Sequence, residues 1–350
     1  MSLDCVLTFL LLLTGTFGNY TDTLWEHRCD PGSEIFVCTV PNFLYRPNQN
    51  HSKLIVPETV RKVRLAYPTD KILIQRDTIV AYDATLHAAL HRPKAVQIAG
   101  TMLKRFEVPL DLEYADFRDN SIHTVLAPEV NGSVYALRYL DLRNNEMERI
   151  DSLATLVNLE TLMLRANRIS VLDGTALGCF TKLTGLDLGS NTVEEIPASH
   201  LPASLEWLIL RRNMLYASVD FSGARLPALK VLDMQHNFCN ELDLGVLLVA
   251  APNLDGIMLD GNFINSEEGK VIMTRLVNAG VSHDKFVMSD SEHDDEQNDY
   301  YRRQQKIKVQ EDIIAGMIAV VNVCVIGWGF YRVYKSRISI VTERASGSTV

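Results

Sequence analysis

The chain has 350 residues, 47% of them hydrophobic, and a formal charge of −9 at pH 7. That length holds one large domain or two small ones. The acidic balance excludes a dedicated nucleic-acid binder, which needs a basic stripe to meet phosphates, so no nucleic acid is expected among the partners.

Residues 1–18, MSLDCVLTFLLLLTGTFG, carry an apolar run from Cys5 to Leu13 followed by small residues. Thr16 and Gly18 suit the positions before a cleavage site, and a secretory signal peptide ending at Gly18 is expected, although Asp4 stands where Lys or Arg is usual. So short an apolar run does not span a bilayer. Residues 19–59 are expected to form an N-terminal cap in which Cys29 and Cys38, in CDPGSEIFVC, pair in a disulfide. A metal site there lacks partner ligands. Sequons at Asn50 (NHS) and Asn131 (NGS) mark glycosylation candidates, and Asn19 (NYT) also matches.

From Leu112 onward a pattern L-x-x-L-x-L-x-x-N-x-φ recurs, with φ apolar. It reads LEYADFRDNSI, LRYLDLRNNEM, LETLMLRANRI, LTGLDLGSNTV, LEWLILRRNML, LKVLDMQHNFC and LDGIMLDGNFI, starting at 112, 137, 159, 183, 205, 229 and 254. Spacings of 22 to 25 residues fit the leucine-rich-repeat period. More degenerate copies begin near Val60 and Pro93, so repeats are expected over 60–264. Each turn would add a short strand to a parallel sheet, with residues such as Leu140 and Leu142 facing a shared core. The recurrent asparagines (Asn120, Asn145, Asn167, Asn191, Asn213, Asn237 and Asn262) would lie inside the coil and bond backbone groups there, a structural ladder and not a catalytic one. Cys239 falls on an apolar position and reads as a buried free thiol. Cys179, in a convex connection, is either free or paired with another chain.

Beyond the repeats, residues 265–288 are expected to cap the solenoid, with a helix over 266–280 that has Ser266 as N-cap and Gly280 at its end. Residues 289–310 open with SDSEHDDEQND and read as an acidic stalk, too polar to bury a core. Residues 311–331 contain IIAGMIAVVNVCVIGWGFY, nineteen residues without a formal charge, and read as one transmembrane helix, since a bilayer takes about 20 residues of helix. With the signal peptide this implies a type I protein at the cell membrane, N-terminus extracellular, with residues 332–350 as a cytoplasmic tail. The terminal Ser348-Thr349-Val350 matches the form of a PDZ-domain ligand, with Ser348 and Val350 as the recognised positions.

The chain resembles the leucine-rich-repeat superfamily over residues 60–264, and within it the type I single-pass receptors and adhesion proteins. Its spacing and its HNF and GNF turns are also similar to those of the leucine-rich-repeat immune proteins of mosquitoes, a group with a membrane-anchored subset. The secreted members carry a coiled coil and a cysteine-rich C-terminal flank, and neither pattern occurs here. The fold expected is an α/β solenoid, a horseshoe with a parallel β-sheet on its concave face.

Function is sought on that face. The nine histidines are scattered, and no H-E-x-x-H, G-x-S-x-G or phosphate loop occurs, so no enzyme, metal or cofactor is expected. Strand positions outside the core form columns across the repeats, running Tyr114, Tyr139, Thr161, Gly185, Trp207; then Asp116, Asp141, Met163, Asp187, Ile209, Asp233; then Arg118, Arg143, Arg165, Gly189, Arg211. Interfaces favour Tyr, Trp and Arg. Tyr114, Arg118, Tyr139, Arg143, Arg165, Trp207, Arg211 and His236 are therefore the ligand-binding candidates. The expected role is recognition or adhesion through an extracellular protein ligand, in innate immunity or cell contact. A membrane co-receptor and a PDZ scaffold are further expected partners. The competing role is a regulatory subunit bound in cis to another membrane protein.

Overall fold

The computed structural model describes residues 26–28, 30–31, 37–40, 43–47, 53–65, 79–216 and 219–284. The chain divides into two units, Met1–Met288 and Ser289–Val350, and every described residue belongs to the first. Strands β1 (Glu26–Arg28) and β4 (Lys53–Ile55) pair with each other. Strands β6 (Ala81–Tyr82), β8 (Arg105–Glu107) and β10 (Thr124–Leu126) form a second small parallel sheet. The main sheet has 12 strands in chain order. These are β2 (Asp30–Pro31), β3 (Val37–Val40), β5 (Lys62–Leu65), β7 (Ala95–Ile98), β9 (Tyr114–Asp116), β11 (Tyr139–Asp141), β12 (Thr161–Met163), β13 (Gly185–Asp187), β14 (Trp207–Ile209), β15 (Val231–Asp233), β16 (Gly256–Met258) and β17 (Ser282–His283). All neighbours are parallel except β2 and β3.

The register explains the repeat. Ala115, Leu140, Leu162, Leu186, Leu208, Leu232 and Ile257 lie opposite one another on successive strands, all buried. Each strand lasts only about three residues because the chain must then leave the sheet to climb to the next coil. The residue before each asparagine makes that bend in the left-handed region: Asp119, Asn144, Ala166, Ser190, Arg212, His236 and Gly261 all have φ between 52° and 73°. The asparagine amide is thereby swung into the coil. Asn191 donates to Leu188 O (2.9 Å) in its own turn and to Leu164 O (3.0 Å) in the preceding one, and accepts from Ile169 N at 3.0 Å. The same three-way bonding occurs at Asn120, Asn145, Asn167, Asn213, Asn237 and Asn262. A single side chain so satisfies backbone groups of two coils that burial would otherwise leave unpaired.

Connections opposite the main sheet vary. Among the described residues, three carry short α-helices, α1 (Ala84–Ala89), α2 (Gly174–Cys179) and α3 (Leu244–Ala250), each opened by an aspartate cap: Asp83 accepts from Leu86 N, Asp173 from Thr175 N and Asp243 from Val246 N. The last coil is covered by α4 (Ser266–Ala279). Its N-cap is Asn265, which accepts from Glu268 N at 2.9 Å, and Ser266, expected in that role, is the first helical residue. Gly280 ends the helix at φ 72°.

The main sheet is longer than the expected repeat span. It takes in β2 and β3 before residue 60 and β17 after residue 264. Cys38 lies opposite Val63 in the core column, fully buried and disulfide-bonded. Its expected partner Cys29, the signal peptide, Asn50, the stalk, the membrane segment over 311–331 and the tail with Ser348 and Val350 lie outside the described residues. Among the described residues, no helix is long and apolar enough to cross a membrane.

Candidate binding face

The open face of the main sheet brings most of the candidate residues into one surface. Tyr114 and Tyr139 occupy matching positions on β9 and β11, and their rings stack at 4.3 Å with 5° between planes. Lys62, two strands away in the same column, holds its Nζ 5.9 Å from the Tyr114 ring. Burial, with Asp116 acting on Tyr114 and Asp141 on Tyr139, pushes both phenols above their ordinary range, so they stay neutral donors. Further along the column, the Trp207 indole covers Gly185: a Cβ on that glycine would fall 1.9 Å from Trp207 Cζ2. The glycine is what lets the indole lie across its neighbour's strand.

The aspartates of the middle column are buried although they lie outside the leucine core. Asp116, Asp141, Asp187 and Asp233 are 1–7% exposed. They point away from the leucine core, but side chains of the flanking columns and adjacent coils close over them. Arg143 clasps Asp141 from above, and Arg118 stands 3.6 Å from Asp116. Asp187 and Asp233 accept from the backbone N–H two residues on, those of Gly189 and Gln235, at 2.9 and 3.0 Å. Gln97 bridges Arg64 (2.7 Å) to Asp116 (2.8 Å). Burial raises the carboxyls of Asp116, Asp187 and Asp233, against the pull of nearby arginines. The face is thus layered, arginines outside and aspartates beneath.

Charges one position before the strands are consumed between coils: Lys94 with Glu113 at 3.3 Å, Arg138 with Glu160 at 2.6 Å, and Lys230 with Glu206 at 2.8 Å. His236 does not join the face. It forms the left-handed bend before Asn237, and its imidazole lies over Gly261, where a Cβ would fall 2.2 Å from Nδ1. Asn131 is exposed in the turn that also holds Gly132.

One polar group escaped the sequence reading. Tyr82 Oη lies 2.7 Å from His87 Nδ1, and His87 Nε2 lies 3.0 Å from Asp111, which also pairs with Arg92 at 3.0 Å. Tyr82 and His87 are buried, with Tyr82 packed against Phe106 and Phe117. The chain locks α1 to the turn before β9. Its members come from separate turns with no common spacing, so no motif could have revealed it. Among the described residues, no group of His, Cys, Asp or Glu is arranged to hold a metal ion.

One strand per coil, a core column of leucines and an internal asparagine ladder define a leucine-rich-repeat solenoid. Residues 157–215 match the family described as Leucine rich repeat. The solved structure entitled "Crystal structure of LRIM1/APL1C complex" has a TM-score of 0.50 and 16% identity, covering 69% of this chain and 47% of that chain. The chain therefore spans about half the length of that solved relative. The family match supports the leucine-rich-repeat resemblance, and the structural likeness, at 16% identity, shows the fold alone. Matches among solved structures number 301 chains, so the fold alone does not select a function. No curated protein matches the sequence.

Proposed function

We propose that the protein is a cell-surface recognition protein that binds an extracellular protein through the open face of its repeats. The observation that carries this reading is the half-exposed aromatic set Tyr114, Tyr139 and Trp207 on the same face as a column of arginines. These three rings stand on the open face outside the leucine core, and Tyr and Trp are among the residues that interface anchors favour. The repeats act as scaffold, and protein binding is the usual task of such a surface. A secretory leader, one membrane helix after an acidic stalk and a short cytoplasmic tail complete the proposal, with a role in innate immunity suggested by the mosquito resemblance.

The test uses full-length protein on cells with proximity labelling of its extracellular neighbours. Tyr139→Ala combined with Trp207→Ala should remove specific neighbours at unchanged surface abundance. An identical set of neighbours for parent and variant would overturn the reading. Neighbours that prove to be subunits of one membrane complex in the same cell would assign the regulatory role in cis in place of recognition between cells.

A further inference from the structure

The pairing of arginine with an aspartate two residues earlier holds on β9 and β11, then breaks. Met163 stands where Arg165 would have its acid, and Ile209 where Arg211 would. The strand between them is the inverse case: Asp187 is present, and Gly189 takes the arginine position. Asp187 turns to the Gly189 N–H and bonds neither arginine. The Arg165 guanidinium makes no hydrogen bond or ion pair among the described residues. Arg211 comes no nearer than 3.9 Å to Asp233, and its Nε has no hydrogen-bond partner.

Arg165, without a bonded partner among the described residues, and Arg211, held only loosely by Asp233, thus flank a glycine that lies beneath the Arg211 stem, two strand spacings or roughly 10 Å apart at the backbone. Long side chains close that span over a single carboxylate, and arginine forks suit its geometry. The aspartates Asp141, Asp187 and Asp233 lie deeper and buried, so an approaching group meets the cations first. Back along the same segment, four residues and about 13 Å away, Gly185 lies under the Trp207 indole, opposite Thr161 on the neighbouring strand.

We infer that this surface anchors an acidic segment of a partner protein. A partner Asp or Glu bridges Arg165 and Arg211 across Gly189, and an aromatic or bulky apolar residue four positions away along an extended chain packs on Trp207 and Thr161. The inference rests on the proposed function and specifies the chemistry its partner must carry.

The test uses full-length protein in detergent micelles and fluorescent 12-residue peptides. One has Glu and Phe four positions apart in an acidic background, a second has Lys for every acid, and a third has Ala for Phe. The acidic aromatic peptide should bind saturably, and the other two should bind at least tenfold more weakly. Arg165→Gln and Arg211→Gln should each weaken it about tenfold, or about 1.4 kcal/mol, with the cooperative unfolding of the repeats retained. Arg165→Lys, which keeps the charge, should lose less. Added salt should weaken binding in the parent more than in the glutamine variants. Equal binding of acidic and basic peptides, no binding of any, or indifference to both glutamine substitutions would overturn the inference. If labelling still depends on Tyr139 and Trp207 while the acidic peptide fails, the acidic preference falls and the protein-binding face stands; if both fail, both readings fall.

Discussion

Arg143 holds Asp141 by two parallel bonds, Nη2 to Oδ2 at 2.6 Å and Nε to Oδ1 at 3.0 Å, while its own backbone N–H reaches the same Oδ1 at 3.0 Å. The carboxylate is 1% exposed and the guanidinium 30%. A buried anion deprived of its cation costs more than the pair contributes, because desolvation is left unopposed. Arg143→Ala should therefore destabilise the repeats by about 2 kcal/mol, reduced from the fully buried case since water reaches the site. Arg143→Ala with Asp141→Asn should recover much of that loss, because the amide oxygen still accepts the backbone bond without a charge. Thermal unfolding of the four proteins in a double-mutant cycle measures both effects.

The raised carboxyls at Asp116, Asp187 and Asp233 have an unusual consequence for pH. A folded-state pKa above the unfolded value means that the native state holds its proton more tightly. These groups therefore make stability fall as pH climbs from the ordinary aspartate value of 3.8 through the folded pKa. Asp111 acts in the opposite sense. Burial would raise it, but Arg92 and His87 outweigh that and hold it low, so its contribution is lost as pH falls through the folded value. Asp187→Asn isolates the first effect. The asparagine oxygen can still accept from Gly189 N–H, so the variant should be at least as stable as the parent at neutral pH, and its advantage should shrink on acidification. Urea midpoints across the carboxylate range, as a difference between variant and parent, read this out.

The left-handed bend before each asparagine makes two substitutions act in opposite directions. Ala166 sits at φ 56°, a conformation that costs an L-residue about 1–2 kcal/mol. Ala166→Gly should stabilise by about 0.5 kcal/mol, after the unfolded chain's gain in freedom is subtracted. Gly261→Ala should destabilise by about 1–2 kcal/mol from backbone strain alone, and more because its Cβ would strike His236. His236→Ala in that background should relieve the collision and leave the strain. Chemical unfolding of the single and double variants separates the two contributions.

How much of this was legible depended on whether a feature repeats. The leucine columns and the asparagine ladder answer the same local need in every coil, so spacing reveals them from Leu112 to Ile264. The aspartate column also repeats, but its exposure does not follow from its own strand: Asp141 is covered by Arg143, whereas Asp187 has no arginine of its own and is closed in by its neighbours. Features that occur once were invisible. Tyr82, His87 and Asp111 meet only because three turns converge, and Asn265 beats Ser266 to the cap of α4 by one residue that composition cannot rank. The bend position hosts Asp, Asn, Ala, Ser, Arg, His and Gly, and Gly261 alone hints at its geometry.

The two free cysteines of the described residues should differ sharply in reactivity. Cys239 is 1% exposed, its Sγ lies 3.7 Å from Leu215 O, and burial pushes the thiol up to about 12. Alkylation proceeds through the thiolate, which is nearly absent there at neutral pH. Cys179 ends α2 in a half-buried position. Iodoacetamide applied to the native protein, followed by peptide mass analysis, should modify Cys179 and leave Cys239 intact. Cys239 should react only when the coils around Leu215 and Asn262 open, so its labelling rate should follow the denaturant dependence of repeat unfolding. Rapid native labelling at Cys239 would mean that the interior of the solenoid opens locally at that coil, and the cooperative stack inferred from the asparagine ladder would then have to be broken at residues 215–262.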